Sequence, residues 1–215
     1  MVLSPLAHLA LNVAGPGHRY RIYAPRRYQR IMSRRGIAAW CGIADGDALR
    51  SGLPMIVVIG CGNPNRLDDG AGLEVLRLLE ARGVGAGLPN VRLLAAGTDG
   101  MATMFAARGC RTLIVVDACR SGSPPGAVFE VPGSELEQRY EPSLNLHDFR
   151  WDHALFAGRK IFRDDFPSDV VVLLIEAQTV ELGIGLSDAA SAAVAKVTDR
   201  IATLIDARLG PEGSS

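Results

Sequence analysis

The chain has 215 residues, 48% of them apolar and 21% charged, a balance that suits one globular α/β domain with a sizeable buried core and some chain to spare. Lysine plus arginine and aspartate plus glutamate number 23 each, which excludes the overall basic field that favours nonspecific nucleic-acid binding. The four cysteines, Cys41, Cys61, Cys110 and Cys119, show no C-x-x-C spacing, and a chain of this size needs no disulfide framework, so a reducing cytosol is the expected setting.

Residues 1–54 stand apart. They hold eight arginines against Asp45 and Asp47, a net of +6, which leaves −6 for residues 55–215. Their apolar start is interrupted by Ser4, Pro5 and His8, and the basic residues follow it, the wrong order for a secretory signal. No apolar run approaches the roughly 18 to 20 residues needed to span a bilayer. Residues 19–53 carry neither a sustained 3.6 nor a period-2 pattern, and Pro54 precedes a strong strand signal. We read 1–54 as an N-terminal extension, with Met55 a candidate start. The competing reading is an arginine-rich tail that binds something acidic.

From Met55 the chain alternates short β-branched runs with helical patterns, the signature of βαβ units. Strands are expected over 55–60, 91–95, 113–116, 127–131 and 170–175, several apolar on both faces, as a sheet buried between helix layers requires. Helices are expected over 71–82, 100–107 and 152–162, and Ser187 with Asp188 makes an N-cap for a long final helix to Arg208. That helix is amphipathic, with Ala190, Val194, Val197, Ile201, Leu204 and Ile205 at steps near 3.6. Residues 132–147 lack a regular period, and irregular segments of that length often carry function. The expected fold is therefore a three-layer αβα domain over 55–210, with a mostly parallel twisted sheet of about five strands, followed by a tail at 211–215.

The chemistry gathers at strand ends. The first strand runs into Gly60-Cys61-Gly62-Asn63-Pro64-Asn65-Arg66-Leu67-Asp68-Asp69-Gly70-Ala71-Gly72. A dinucleotide fingerprint would need glycine at 65, where Asn65 stands, and two carboxylates would face a pyrophosphate. No nucleotide or flavin is expected; the acids favour a cation. In the plainer reading Asp68 or Asp69 only caps the helix that follows, so that one acid caps while the other projects. Asp117 follows an apolar strand, at the carboxyl end where open α/β sheets place ligands, although Asp also commonly starts turns. If Asp69 and Asp117 converge, two like charges must share a proton or hold a cation. His147, in the irregular segment, is the third candidate ligand. Its rival His153 sits inside a helical pattern, where a histidine is more often a packing or surface residue. Two carboxylates and one imidazole make an open O,O,N set suited to nickel or zinc. There is no G-x-S-x-G elbow and no H-E-x-x-H helix. Cys119 is the one thiol near Asp117 to weigh as a nucleophile, but buried inert cysteine is the commoner case.

Together these motifs resemble the hydrogenase maturation proteases. The family's Gly-Asn-Pro-x-Arg-x-Asp-Asp-Gly-x-Gly segment is matched at Gly62 to Gly72, its Gly-Thr-x-Gly turn at Gly97-Thr98-Asp99-Gly100, its Asp-Ala at Asp117-Ala118, and its Gly-x-Gly-Leu-Ser at Gly183-Ile184-Gly185-Leu186-Ser187. The resemblance implies an endopeptidase, aspartic-type-like or metal-dependent, that removes a C-terminal peptide from a nickel-iron hydrogenase large-subunit precursor after nickel insertion. It implies that Asp69, Asp117 and His147 contact nickel carried by the substrate, with no separate nucleophile, in a cytoplasmic monomer that binds neither nucleic acid nor membrane. The chain departs from the family where it has Asn145-Leu146-His147-Asp148-Phe149-Arg150-Trp151 in place of a Ser or Thr before the histidine and a Gly-Leu-rich stretch after it. It also has Asp69 where some relatives have Glu. A noncatalytic nickel-binding chaperone on the same fold is the alternative.

Overall fold

The computed structural model describes residues 56–84, 88, 90–137 and 150–210; the 1–54 extension, the 211–215 tail and His147 lie outside the described residues. Within them are five strands, β1 (Ile56–Cys61), β2 (Val91–Gly97), β3 (Thr112–Cys119), β4 (Val128–Pro132) and β5 (Asp169–Glu176). The helices are α1 (Ala71–Ala81), α2 (Gly100–Ala107), α3 (Gly133–Glu137), α4 (Trp151–Phe162) and α5 (Asp188–Leu209). One sheet joins the strands in the order β2-β1-β3-β5-β4. Every neighbouring pair is parallel except β4 with β5.

The expected three-layer αβα fold is observed, and the side-chain period explains it. Ile56 and Val58 face one layer while Val57, Ile59 and Cys61 face the other, because successive strand residues point to opposite faces. The first layer is closed by Val75, Leu76 and Leu79 of α1 and by Val194, Val197, Ile201 and Ile205 of α5. The second is closed by Ala106 and Ala107 of α2 and Leu155 of α4. A strand covered on both faces can be apolar throughout, and all six residues of β1 are buried. β4 instead lies at the sheet edge with Val128, Glu130 and Pro132 exposed; proline, which has no N–H to donate, is tolerated at such an edge.

This order positions a site. α1 follows β1 on one face and α2 follows β2 on the other, so the chain leaves β1 in one direction and returns at β3 in the other. The crevice between the carboxyl ends of β1 and β3 is the topological switch point where open α/β sheets bind ligands. β1 stops pairing with β3 at Gly60 opposite Val116, whereas β5 accompanies β3 to Cys119. Asp117 is consequently inside β3, one residue beyond its last partner on β1, and not after the strand as the apolar run suggested. β3 continues because β5 keeps supplying ladder partners.

Close backbone approach holds the crevice. A Cβ on Gly72 would lie 2.4 Å from the Cys61 carbonyl oxygen and 2.5 Å from that of Val116, so only glycine lets the first turn of α1 rest on both strand ends. Among the described residues of the irregular segment, 132–137, the structure shows a short helix, α3, that the sequence pattern did not announce. Among the described residues no helix is long and apolar enough to cross a membrane.

Candidate active site

Four separated segments meet at the carboxyl ends of β1 and β3. The Gly62 N–H donates to the Gly97 carbonyl at 2.9 Å, and the Gly183 N–H donates to the Asn65 carbonyl at 3.0 Å. Gly62 has φ +115°, and a Cβ there would strike the Asp69 carbonyl oxygen at 1.8 Å and stand 3.5 Å from Asp117 Oδ1. Glycine is required by both the left-handed backbone and the lack of room. The Gly-Asn-Pro, Gly-Thr-x-Gly, Asp-Ala and Gly-x-Gly-Leu-Ser segments thus form one cluster.

The adjacent acids have different roles. Asp68 is fully buried and caps no helix of its own. It accepts hydrogen bonds from the backbone N–H of Gln178 (2.8 Å), Thr179 (3.3 Å) and Ser187 (2.7 Å) and from the Ser187 hydroxyl (2.9 Å). Ser187 Oγ in turn accepts from the Ala190 N–H at 3.2 Å, which makes it the expected N-cap of α5. Asp68 therefore ties the β1 loop to the 178–187 loop. Asp69 is half-buried; its Oδ2 accepts from the Asn63 N–H at 3.0 Å, which braces the same loop from within.

Asp117 is only 1% exposed. Its Oδ1 accepts from the Ala118 N–H at 2.9 Å; its Oδ2 accepts from Arg150 Nη2 and from Trp151 Nε1, each at 2.7 Å. Burial pushes the Asp117 carboxyl above its ordinary range, opposed by the Arg150 charge and by the hydrogen bonds from Trp151, Arg150 and Ala118. Arg150 itself is pulled down by burial, but Asp117, Asp152 and Asp69 outweigh that and hold its guanidinium firmly charged. Both candidate carboxylates therefore act on one cation.

The remaining candidates resolve as follows. His153 is buried on α4, and its Nδ1 accepts from the Arg150 N–H at 3.4 Å, a capping and packing role at the start of that helix. Cys119 donates to Glu176 Oε2 at 3.3 Å; burial first, then Glu176 and Asp117, push its thiol up to about 12, so it is protonated near neutral pH and a poor nucleophile. Cys61 is likewise pushed up to about 12, by burial and by Asp117. Among the described residues no group of three or more His, Cys, Asp or Glu side chains could hold a metal ion. The proposed third ligand, His147, lies outside them.

Three contributors escaped sequence reading. Arg150 and Trp151 open α4 and reach back to β3. The only signal was their departure from the family pattern after His147. Glu176, opposite Cys119 on β5, was also unremarked. Burial pulls its carboxyl upward, but the N–H groups of Ser121 and Gly122, the Ser121 hydroxyl and the Cys119 thiol outweigh that and lower it to about 2. It thereby fixes the 119–122 turn beside Asp117. A carboxyl whose pKa falls on folding contributes stability above its unfolded value, about 4.3, and that contribution is lost as pH falls toward 2. Urea midpoints followed between pH 5 and 2.5 should fall for the native chain, with a shallower slope for Glu176→Gln; equal slopes would show that these hydrogen bonds carry no linkage.

A buried carboxylate at the switch point of a doubly wound sheet, a second on the loop beside it, and a backbone cluster built from four motif segments define an acidic crevice on an α/β scaffold. The hydrogenase maturation protease family model matches residues 73–204, beginning just beyond the Gly62–Gly72 segment, and the chain belongs to that family. It is 32% identical over 130 residues to the hydrogenase expression/formation protein HupD of Thiocapsa roseopersicina, a match spanning 60% of this chain and 56% of HupD's own length. It is 26% identical over 148 residues to the hydrogenase 2 maturation protease of Escherichia coli, covering 68% of this chain and 87% of that protein. The fold matches the hydrogenase maturating endopeptidase HybD of Escherichia coli with a TM-score of 0.59 at 22% identity, over 70% of this chain and 91% of that one. The corresponding HybD of Thermococcus kodakarensis gives 0.56 at 23%, over 71% and 99%.

Proposed function

We propose that this chain is an endopeptidase that removes a C-terminal peptide from a nickel-iron hydrogenase large-subunit precursor once nickel has been inserted, gripping that nickel with Asp69, Asp117 and His147. The observation that carries the reading is the placement of Asp117, buried at the end of β3 beside the loop that holds Asp69. A buried carboxylate needs a positive partner, and the Arg150 guanidinium supplies one to Asp117 at 2.7 Å while also feeling the charge of Asp69. Oxygen donors with one imidazole suit a borderline divalent ion and leave positions for other ligands.

The substrate's nickel would supply Lewis acidity to the scissile carbonyl or to a water; the protein's part is to bind and orient. Asp117 is held by Ala118, Trp151 and Arg150, and Asp69 by Asn63, so both carboxylates are fixed in place before substrate arrives, as a preorganised site requires. Peptide hydrolysis then adds one water across the bond, releasing the C-terminal peptide as a new amine and leaving a new carboxylate on the large subunit. A cytoplasmic, monomeric enzyme fits this role.

The test is incubation with nickel-loaded and nickel-free precursor, following large-subunit size on a gel. Each ~1.4 kcal/mol of added affinity from metal coordination gives tenfold discrimination, so loaded precursor should be cut at least about tenfold faster. Proton competition for the proposed imidazole ligand should slow cutting as pH falls below about 6.5, the unperturbed histidine value. Equal cutting of nickel-free precursor would sink the metal readout. Binding of loaded precursor without any clipping would favour the noncatalytic chaperone.

A further inference from the structure

The Arg150 guanidinium stands where the proposed nickel contact would have to form. Its Nη2 lies 2.7 Å from Asp117 Oδ2, the oxygen that also receives Trp151 Nε1 at 2.7 Å. The two ends of this ion pair differ in freedom: the Asp117 side chain is 2% exposed and the Arg150 side chain 60%. Asp117 is also anchored by the Ala118 N–H and by Trp151 Nε1, two bonds that do not involve the Arg150 guanidinium. Arg150 is the residue before α4, with its backbone fixed by the bond from its N–H to His153 and its long side chain reaching through solvent to the crevice. Such a side chain can move where the carboxylate cannot, because most of its surface is exposed, although leaving breaks its bond to the buried Asp117 and so must be driven by whatever replaces it. The carboxylate cannot follow it.

We propose that Arg150 is a specificity-determining residue, a resident counter-charge on Asp117 that a divalent cation must displace, so that free nickel is held off and nickel carried by a precursor is admitted. This rests on the metal reading proposed above. A divalent ion bound at Asp117 Oδ2 with the guanidinium still in place would set like charges within a few ångströms, in a crevice where water screens them poorly. A free ion has only its coordination bonds with which to move the arginine. A loaded precursor adds the contacts of its own polypeptide, and the combined affinity displaces it. Asp69 contributes to the same balance, since its charge also acts on Arg150. Arg150 would therefore lower affinity for unattached metal while leaving the carboxylates poised, which keeps the site from being blocked by free ions between turnovers.

The experiment is equilibrium dialysis of the full chain against nickel chloride alone at one fixed pH of about 8, for the native protein, Arg150→Gln, Arg150→Lys and Arg150→Gln combined with Asp117→Asn. Glutamine keeps a polar arm but removes the charge, and lysine restores the charge with different geometry. Arg150→Gln should bind nickel at least about tenfold tighter, a change of ~1.4 kcal/mol; Arg150→Lys should return most of the way to the native value; Asp117→Asn should erase the gain. If Arg150→Gln binds no tighter while Asp117→Asn still weakens binding, the counter-charge role is overturned and the metal site stands. If neither change alters nickel binding, the metal reading falls and this proposal with it. A gain in Arg150→Gln that survives Asp117→Asn would also overturn it, by placing the metal elsewhere.

Discussion

Asp69→Asn and Asp117→Asn are each expected to leave the chain folded while processing of nickel-loaded precursor falls about a hundredfold or more. The magnitude follows from removing one preorganised electrostatic contact to a developing or bound charge, which costs on the order of 100 to 1,000 in rate. Asparagine is nearly isosteric, and at Asp69 its carbonyl oxygen can still accept from the Asn63 N–H that braces the β1 loop. At Asp117 burial already opposes the charged form, and the asparagine carbonyl oxygen can keep accepting from Arg150 and Trp151 while its amide gives up the Ala118 bond, a modest cost. The fold should thus survive in both, and circular dichroism with thermal melts checks that independently of activity. Unprocessed large subunit should accumulate in cells carrying either variant. A variant that melts normally and still processes loaded precursor at more than about a tenth of the native rate would remove that carboxylate from the proposed machinery.

The largest stability effect is expected one residue away. Asp68→Ala deletes the acceptor for three backbone N–H groups and the Ser187 hydroxyl, all at a fully buried position. Leaving buried donors unsatisfied costs about 1–3 kcal/mol each, and because these donors are only part-buried and such costs are less than additive, a total loss of about 3 kcal/mol is expected. Urea unfolding measures it directly. Asp68→Asn should lose less, since its carbonyl oxygen retains some of these bonds, whereas its amide would face N–H donors. The contrast with Asp69→Asn is diagnostic: adjacent acids should separate, one failing in stability and the other in activity. If Asp68→Ala unfolds at the native midpoint, the tie between the β1 and 178–187 loops does not stabilise the domain.

Much of the fold was legible because local rules and tertiary demands agree. The apolar runs at 55–60 and 170–175 announce strands covered on both faces, and β1 and β5 are such strands. The helix expected over 100–107 coincides with α2, since Asp99 caps it by accepting the Ala102 N–H at 3.0 Å and the Gly97 turn precedes it. Ser187 read as the N-cap of the last helix for the same short-range reason. Short-range chemistry, a cap, a turn glycine or a period, is written in neighbouring residues.

What the chain did not disclose is long-range. Asp68 and Asp69 are indistinguishable by sequence position, both in the turn before α1, yet successive residues of that 3-10 turn point in different directions, one carboxylate to the 178–187 loop and the other to the Asn63 N–H. Asp117 lies inside its strand because β5, more than 50 residues later, extends the ladder past the end of β1. Arg150 reaches Asp117 across 33 residues of chain, a contact set by how α4 packs on the sheet and by nothing in the local pattern. The sequence by itself determined the α/β class, the strand and helix positions and the acidic residues at strand ends, because burial periodicity and capping are local. Only the tertiary structure decided which acid is a buried clamp, which faces the switch point, and which cation sits opposite it, because hydrogen bonds and ion pairs between distant segments depend on strand order and helix packing.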